Sequence, residues 1–242
     1  MTGRAGQCGR PAMHEEEGNG HASPPCYAAE IAPDYFDPFG VDPAQARDVA
    51  RWRQAERRRL LAVRQALGVA ELQVVGGALL SHVAGLIAAW FPDLASRTLA
   101  GYWPIRSEPD LRPLLAAWHA AGAAVALPAV ETRHAPLIFR RWTPVTRMVR
   151  GDWAIPVPAP GAAALVPDIA LAPLVGWDGS GFRLGYGGGY FDRTLAALSP
   201  RPFVIGVGLQ GARLATIYPQ PHDIALDAIV TEAGIQFQRS GT

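Results

Sequence analysis

The chain has 242 residues, of which 49% are hydrophobic and 18% are charged, and its formal net charge is +1. This composition argues against an intrinsically disordered chain and against a general nucleic-acid-binding surface. All 22 basic residues are arginine, so the chain offers no lysine for a Schiff base or for a Walker phosphate loop. A chain of this length can bury a large core within one domain.

The first 40 residues differ in composition from the rest of the chain. They are rich in glycine, proline and glutamate, which is typical of a disordered extension, and we expect one folded domain at residues 41–242. Both cysteines, Cys8 and Cys26, lie in this extension, and their spacing from the neighbouring histidines matches no standard zinc motif. We therefore assign no chemistry to residues 1–40.

The sequence shows no signal-peptide pattern at its start and no clear membrane span. The most apolar stretch, residues 74–91, is interrupted by Ser81, His82 and glycines, and this pattern favours a buried helix. We therefore expect a cytoplasmic protein that acts as a monomer and has neither a membrane nor a nucleic acid as its partner.

Helices and short apolar strands alternate from residue 44 onward. Asp42-Pro43 is a helix start signal, and residues 44–67 contain no glycine or proline, so they predict a long helix. Further helices are predicted at residues 73–89, 111–121 and 190–198, and strands at residues 98–103, 123–127, 137–142, 169–174, 203–207 and 228–230. This alternation predicts an α/β fold, a three-layer α/β/α sandwich in a single domain with a mostly parallel central sheet.

Several polar and aromatic residues have more than one explanation at this stage. The arginines of the first helix suit a solvated face that pairs with Glu56, Glu108 suits a partner for a helix N-terminus, and Trp153 suits a packing residue. Ligands of parallel sheets, however, bind beyond the carboxyl ends of the strands. Glu108 and the glycine-rich loop each follow a predicted strand, so both could line one crevice.

The most informative segment is FRLGYGGGYFDR at residues 182–193, in which four of five consecutive positions are glycine. Such a run contributes almost no buried side chain, so its bare backbone must serve another purpose. Backbone amides turned toward a phosphate, at the start of the following helix, are one explanation, and a structural turn or hinge is the other. Arg183 and Arg193 bracket the run as charged donors, and Asp192 offers an oxygen ligand for Mg²⁺.

Sequence landmarks in a consistent order extend from Arg53 to Glu232. They are the basic helix from Arg53, Tyr102-Trp103-Pro104 with Glu108, Ala126-Leu127-Pro128, Trp153-Ala154-Ile155-Pro156, the segment from Asp168 to Arg193, and His222-Asp223 with Asp227 and Thr231-Glu232. In this combination the sequence resembles the 5-formyltetrahydrofolate cyclo-ligases, also called 5,10-methenyltetrahydrofolate synthetases. It departs from the family pattern at Arg53, where a lysine is usual, and at Val157, where a glutamate is common.

The resemblance implies an ATP- and Mg²⁺-dependent ring closure of reduced folate. In this family the formyl oxygen of 5-formyltetrahydrofolate attacks the γ-phosphate of ATP, and N10 then closes the ring. The products are 5,10-methenyltetrahydrofolate, ADP and phosphate. Such a reaction demands positioning and charge neutralisation rather than a nucleophilic side chain.

The resemblance also assigns roles to individual residues. The implied ATP contacts are Arg53, Arg57, Arg183, Leu184, Gly185, Tyr186, Gly187, Gly188, Gly189, Tyr190, Phe191 and Asp192. Glu108, Trp153 and Tyr190 are implied to contact folate, Arg183 and Tyr190 to take part in catalysis, and Asp192 and Asp227 to bind Mg²⁺. By itself, each of the two aspartates equally suits a helix cap or a turn.

Two alternatives remain open from the sequence. One is a paralogue of the same fold that acts on another pterin or on another formylated substrate, which the departures at Arg53 and Val157 suggest. The other is a non-catalytic protein that binds folate or nucleotide. Turnover of 5-formyltetrahydrofolate separates the cyclo-ligase from both.

Overall fold

The computed structural model describes residues 42–240, apart from the side chain of Pro43. The predicted disorder of residues 1–40, together with Cys8 and Cys26, lies outside the described residues. The α-helices of the described part are α1 (Pro43–Gln65), α2 (Val69–Trp90), α3 (Arg112–Ala120) and α4 (Tyr190–Ala197). Each corresponds to a predicted helix, with ends that differ by a few residues.

Local hydrogen bonds fix where the first three helices begin. Asp42 Oδ1 accepts from the amide of Ala44 at 2.8 Å, directly ahead of the Pro43 turn. Glu71 Oε2 accepts from the Gly68 amide at 2.8 Å at the start of α2. Asp110 Oδ1 accepts from the Arg112 amide at 3.0 Å at the start of α3. These carboxylates satisfy amides that lack partners in the first turn of a helix.

The strands follow the chain as β1 to β13. They are β1 (Thr98–Ala100), β2 (Ala124–Ala129), β3 (Ile138–Trp142), β4 (Met148–Arg150), β5 (Pro156–Pro158), β6 (Ala164–Leu165), β7 (Ile169–Pro173), β8 (Gly176–Asp178), β9 (Arg183–Leu184), β10 (Phe203–Val207), β11 (Arg213–Leu214), β12 (Ala228–Thr231) and β13 (Gly234–Gln238). Eight of them form the central sheet, in the order β13-β12-β10-β7-β1-β2-β3-β6.

The direction of these strands confirms a mostly parallel sheet. The strands β12, β10, β7, β1 and β2 run parallel to one another. At one edge β13 pairs antiparallel with β12, and at the other edge β3 pairs antiparallel with β2 and with β6. The carboxyl ends of the parallel strands therefore meet at one side of the sheet, where α/β proteins bind their ligands.

Two smaller sheets were not predicted from the sequence. The strands β11, β8 and β9 form one of them, and β4 and β5 form the other. The tight turn between β8 and β9 is held by Asp178, whose Oδ1 accepts from the amides of Ser180 and Phe182. Because these strands have only two or three residues, they are too short to show a period of two in the sequence. They place the glycine-rich run after β9 rather than directly after β7.

The central sheet is covered on both faces, which confirms the predicted three-layer arrangement. Alternate strand residues point to opposite faces: Leu171 of β7 packs with α2 and α3, whereas its neighbour Ala172 packs with Leu60 of α1 and Leu195 of α4. This alternation follows the period of two of a strand. One layer is thus α2 with α3, and the other is α1 and α4 with the β8–β9 hairpin.

Helix α2 differs from the prediction in how it is buried. It is 22 residues long and is apolar enough, by length and composition alone, to cross a membrane, whereas the interruptions at Ser81, His82 and the glycines predicted an apolar run too short for this. It is also not buried all round. One face, including Leu79, Val83 and Ile87, packs against the sheet, while Val74 on the other face is 75% exposed. In the described part of the chain, α2 therefore covers one face of the central sheet.

The packing of α2 is tested by two substitutions on its opposite faces. Ile87→Ala should lower the free energy of unfolding by about 2–5 kcal/mol, because Ile87 is fully buried and its truncation leaves a cavity. Val74→Ala should change it by about 0.5 kcal/mol or less. Urea denaturation of both variants gives the two values. Equal effects would contradict the assignment of one buried and one exposed face.

Candidate active site

The glycine-rich loop connects β9 to α4 and requires glycine at most of its positions. Gly187 and Gly189 have φ values of 98° and 63°, a region that favours glycine. A Cβ atom on Gly188 would lie 2.8 Å from the ring of Tyr190. At Gly185, by contrast, a Cβ atom would meet nothing within 4 Å. The conformation of the loop therefore explains three of the four glycines.

Two arginines lie directly against the bare backbone of this loop. Arg57 of α1 donates from Nε to the Gly185 carbonyl at 2.7 Å, and a Cβ atom on Gly187 would lie 3.3 Å from its Cζ. Arg193 of α4 donates from Nη2 to the Gly188 carbonyl and stacks on the Tyr190 ring at 5.2 Å. The missing side chains of the glycines make room for the guanidinium groups, which bring positive charge to the loop.

The electrostatic environment of these two arginines favours an anionic ligand. Burial lowers the pKa of Arg57, and the nearby charge of Arg53 lowers it further. Within the described residues, Arg193 Nε is a buried donor without a hydrogen-bond partner. A buried donor of this kind costs free energy until a partner satisfies it. A phosphate group would relieve the charge repulsion at Arg57.

Arg183 lies beneath the loop and is paired with Asp192. Its Nη2 atom lies 2.9 Å from Asp192 Oδ1, and its Nη1 donates to the Ile224 carbonyl at 3.3 Å. Burial lowers the pKa of Arg183, and the negative charge of Asp192 acts in the opposite direction by raising it. Asp192 Oδ1 also accepts from the Ile224 amide at 3.2 Å. The pair therefore ties β9, the first turn of α4 and the segment before β12 together.

Not every residue of the motif faces the open side of the loop. Leu184 is buried in the core with Leu195 of α4, and Phe191 packs beneath the guanidinium of Arg183 at 5.3 Å. Any contact that Leu184 makes with a nucleotide must therefore come from its backbone. The side chains of Leu184 and Phe191 therefore support the loop from the core.

The predicted phosphate contact by Arg53 is not supported by its geometry. Arg53 donates from Nε to the Ile217 carbonyl at 2.9 Å and from Nη2 to the Tyr218 carbonyl at 2.8 Å. It also forms an ion pair with Asp223 at 2.5 Å. Asp223 Oδ2 in turn accepts from the Gln220 amide at 2.6 Å. Arg53 therefore holds residues 217–223 against α1, and Arg57 is the arginine of α1 that faces the loop.

An open cavity of about 430 Å³ lies over the loop and the start of α4. Its wall includes the three glycines at residues 187–189, Asp192, Arg193 and His222. Backbone amides, a guanidinium and a carboxylate thus meet in one place, and this volume lies within the range of small-molecule sites. This donor set suits a phosphorylated ligand that carries a divalent cation.

A second cluster lies at the carboxyl ends of β1 and β7. The Tyr186 hydroxyl donates to Glu108 Oε1 at 2.7 Å, and Ile105 donates its amide to Glu108 Oε2 at 2.9 Å. Arg64 of α1 donates to the Tyr186 hydroxyl at 2.5 Å and to the Leu174 carbonyl at 3.2 Å. Glu108 and the glycine-rich loop are therefore joined by a hydrogen bond through Tyr186.

The electrostatics of this cluster keep Glu108 and Tyr186 in a defined hydrogen-bonding arrangement. Burial raises the pKa of Glu108, and the hydrogen bonds from Tyr186 and Ile105 oppose that rise. Burial and the nearby Glu108 raise the pKa of Tyr186, so the phenol keeps its proton and remains a donor. A carboxylate with two occupied and two remaining acceptor sites suits the amine and amide donors of a pterin ring.

Trp153 and Tyr190 form an aromatic pair beside the loop. Their rings lie 5.6 Å apart at an interplanar angle of 77°, and the Tyr190 hydroxyl accepts from the His134 amide at 3.3 Å. Trp153 is 66% exposed and has a φ of 53° within a short 3₁₀ turn at Asp152–Ala154. An exposed tryptophan in the left-handed region does not serve the core, so the ring is available to stack on a planar ligand.

The structure does not bring the two predicted metal ligands together. Asp227 lies at the amino end of β12, where it accepts from the Val204 amide at 2.8 Å and pairs with Arg201 at 2.5 Å and Arg239 at 3.3 Å. Asp192 instead lies in the wall of the cavity, where its Oδ1 pairs with Arg183 and accepts from the Ile224 amide. Within residues 42–240 no group of three or more metal-ligating side chains occurs. The geometry gives Asp227 a structural role.

Sequence reasoning did not assign roles to Arg64, Arg106 or Asp223. Arg64 follows Arg53 and Arg57 on one face of α1, and this helical spacing was visible in the sequence. The φ of 47° at Arg106 places its guanidinium 5.5 Å from the Tyr186 ring, which no sequence pattern indicates. Both arginines contact Tyr186, so they belong to the Glu108 cluster.

Comparisons with known proteins identify the family of this chain. A family model described as the 5-formyltetrahydrofolate cyclo-ligase family matches residues 49–232. The chain belongs to this family. Among curated relatives, the 5-formyltetrahydrofolate cyclo-ligase of Mycolicibacterium smegmatis is 32% identical over 155 residues, which cover 60% of this chain and 79% of the relative. The enzyme of the same name from Haemophilus influenzae is 29% identical over 54% of this chain and 73% of its own length.

Solved structures of cyclo-ligase relatives share the fold. The 5,10-methenyltetrahydrofolate synthetase of Aquifex aeolicus matches with a TM-score of 0.66 and 25% identity, over 78% of this chain and 94% of that chain. The synthetase of Mycoplasma pneumoniae matches with a TM-score of 0.60 and 23% identity, over 74% and 98% of the two chains. The predicted family and fold class are thereby confirmed.

The role of the glycines is tested by a matched pair of substitutions. Gly189→Ala should raise the dissociation constant for Mg·ATP by about tenfold, because a side chain costs about 1–2 kcal/mol in the left-handed region and about 1.4 kcal/mol corresponds to tenfold. Gly185→Ala should have little effect, since its Cβ atom meets no neighbour. Calorimetric titration measures both. Equal losses would mean that the loop conformation does not govern nucleotide binding.

Proposed function

We propose that this protein catalyses the ATP- and Mg²⁺-dependent cyclisation of 5-formyltetrahydrofolate to 5,10-methenyltetrahydrofolate, with release of ADP and phosphate. The observation that carries the proposal is the position of the glycine-rich loop between two clusters. Arg57, Arg193 and Asp192 lie against one part of the loop, and Glu108 meets another part through Tyr186. A phosphate-binding cavity and a pterin-binding carboxylate thus adjoin one segment of chain.

The loop and its two arginines would hold the triphosphate. The backbone of Gly187 to Gly189 and the start of α4 offer amide donors, and Arg57 and Arg193 provide positive charge beside them. These groups are fixed before the ligand arrives, because each guanidinium is bonded to a loop carbonyl. Fixed donors aimed at a transferring phosphoryl group stabilise its developing charge without rearrangement.

Asp192 fits the requirements of an Mg²⁺ ligand. Its side chain is part of the cavity wall, and within the described residues its contacts with Arg183 and Ile224 both involve Oδ1. The ion pair with Arg183 and the bond from Ile224 hold this carboxylate in the cavity wall. Mg²⁺ bound with nucleotide phosphates needs only one or two protein carboxylates. When bound, the ion would neutralise phosphate charge.

The aromatic pair and Glu108 would hold the reduced folate. Trp153 and Tyr190 present ring faces and edges beside the loop, and Glu108 offers two carboxylate oxygens to ring donors. The formyl oxygen then attacks the γ-phosphorus while ADP leaves, and N10 closes the ring while phosphate leaves with that oxygen. The protein's part is to align the two substrates and exclude water, because this reaction needs no nucleophilic side chain.

We further propose a cytoplasmic monomer with neither a membrane nor a nucleic acid as partner. The net charge of +1 offers no basic footprint for nucleic acid. Within the described residues, side chains of this chain form both clusters around the glycine-rich loop, which supports a site within one protomer. Analytical ultracentrifugation of the purified protein tests the monomer.

The proposed reaction is tested by the absorbance of 5,10-methenyltetrahydrofolate. Purified protein mixed with 5-formyltetrahydrofolate and Mg·ATP should produce a rise in absorbance that disappears when ATP or Mg²⁺ is omitted. No rise, with Mg·ATP binding still present in calorimetry, would contradict the proposal. That result would favour a family member that acts on another pterin or formylated substrate, or a non-catalytic binder.

Two aspartate substitutions separate the metal ligand from the structural carboxylate. Asp192→Asn should lower kcat/KM by about a hundredfold and raise the Mg²⁺ concentration needed for activity, because the amide is a poor Mg²⁺ ligand. Asp227→Asn should lower the free energy of unfolding by about 3 kcal/mol, because it leaves Arg201 and Arg239 without their common carboxylate. Activity per folded molecule should stay near the starting value in Asp227→Asn.

The two measurements are made on the same samples. Urea denaturation gives the stability of each variant, and steady-state kinetics over a range of Mg²⁺ concentrations gives the metal requirement. Full activity and an unchanged Mg²⁺ requirement in Asp192→Asn would remove Asp192 from the metal site. A Mg²⁺ requirement that rises in Asp227→Asn would restore the original prediction for that residue.

A further inference from the structure

The Tyr186 hydroxyl occupies a central place between two charged side chains. It donates to Glu108 Oε1 at 2.7 Å and accepts from Arg64 Nη2 at 2.5 Å. Both its donor and one of its acceptor positions are therefore used within this cluster. The tyrosine as a whole remains 37% exposed. Tyr186 thus links a solvent-facing surface to a carboxylate that is only 7% exposed.

Arg64 fixes the position of this tyrosine from below. It is almost fully buried, and besides Tyr186 it donates to the Arg106 carbonyl at 3.0 Å and to the Leu174 carbonyl at 3.2 Å. One guanidinium therefore joins α1 to the end of β7, to the segment that carries Glu108 and to the glycine-rich loop. The guanidinium makes these three bonds through three nitrogen atoms held in one plane, whereas the ammonium group of a lysine donates from a single nitrogen.

We propose that Tyr186 and Arg64 are positioning residues for Glu108, which hold its carboxylate in the orientation that receives the reduced folate. The inference rests on the proposed function, because it takes Glu108 as the folate contact. Arg64 holds the phenol, and the phenol holds Oε1, while the Ile105 amide holds Oε2. The carboxylate is thereby fixed at both oxygens, so that folate binding need not order it.

The charges around Glu108 agree with this arrangement. Arg64 from α1, Arg106 from the preceding turn and the phenol of Tyr186 all favour the ionised carboxylate, and they oppose the effect of burial on its pKa. Tyr102 also lies nearby, but its hydroxyl donates to the Pro109 carbonyl at 2.8 Å. Tyr102 therefore provides a second buried hydroxyl in the same segment that does not bond to Glu108.

A double-mutant cycle tests the proposal, with the dissociation constant for 5-formyltetrahydrofolate measured by calorimetry. Tyr186→Phe should raise this constant about tenfold, and Glu108→Gln should raise it by at least about as much. In the Glu108→Gln background, Tyr186→Phe should change it by about twofold or less, because the carboxylate that the hydroxyl positions is gone. Such non-additivity is expected of residues that act through one another and not of independent structural residues.

Tyr102→Phe is the matched control, and it should leave the folate constant unchanged within about twofold. Melting temperatures of all variants show whether each is folded. If Glu108→Gln fails to fold, Glu108→Asp takes its place in the cycle, since its shorter side chain withdraws the carboxylate from Tyr186 and keeps the charge. Arg64→Lys should weaken folate binding in the same direction as Tyr186→Phe.

Other results of the double-mutant cycle would contradict either the folate contact of Glu108 or the positioning role of Tyr186. An unchanged folate constant in Glu108→Gln would remove Glu108 from the folate site, and both the proposed folate contact and this inference would fail. A weakened Glu108→Gln with an unchanged Tyr186→Phe would leave the proposed function standing and refute the positioning role. Equal effects of Tyr186→Phe in both backgrounds would also refute it. Tighter binding in Tyr186→Phe would show that the hydroxyl competes with folate for Glu108.

Discussion

The site depends above all on hydrogen bonds from one face of α1 to the carbonyl groups of surrounding loops. Arg53 bonds to the carbonyls of residues 217 and 218, Arg57 to that of Gly185, and Arg64 to those of Leu174 and Arg106. Loops carry many backbone groups that no sheet or helix satisfies. A guanidinium can reach several such carbonyls at once because its donors are fixed in a plane. The first helix therefore fixes the loops before any ligand is present.

Glycine and arginine have complementary roles in this arrangement. The side chains of Arg57 and Arg193 occupy space that a Cβ atom on Gly187 or Gly189 would require. The same glycines adopt positive φ values, which turn the backbone of the loop toward the cavity. Positive charge and amide donors are thus brought together by the absence of side chains. Both cations are arginines, and their planar guanidinium groups fit against the backbone of the glycines.

The sequence predicts most of the fold and the location of the site, and the exceptions have physical reasons. The strand at residues 203–207 is found with the predicted ends, because five apolar residues in a parallel sheet are visible without any partner. The strand β13 was missed, although Ile235 and Phe237 alternate with glutamines, because it lies at an edge of the sheet and has only two apolar side chains among its five residues. The β8–β9 hairpin depends on hydrogen bonds to Asp178, which composition does not reveal.

For Arg53 and Asp227, the structure shows partners that the sequence did not indicate. Arg53 and Asp227 have the chemistry that phosphate and Mg²⁺ require, but each is already satisfied by the fold, Arg53 by Asp223 and Asp227 by two arginines. The sequence shows which ligands a side chain is able to bind, but it does not show which tertiary contacts that side chain makes in the fold.

Asp192 shows the opposite case. It pairs with Arg183 through Oδ1, and its side chain also forms part of the cavity wall, so the ion pair holds the carboxylate beside the cavity. The buried Arg183 therefore contributes to the site even though it faces away from the loop. Its charge balances that of Asp192, while Arg57 and Arg193 bring positive charge to the glycine-rich loop. A triphosphate that arrives with Mg²⁺ would meet two cations on one side and one oriented carboxylate on the other, which is the distribution that its own charges require.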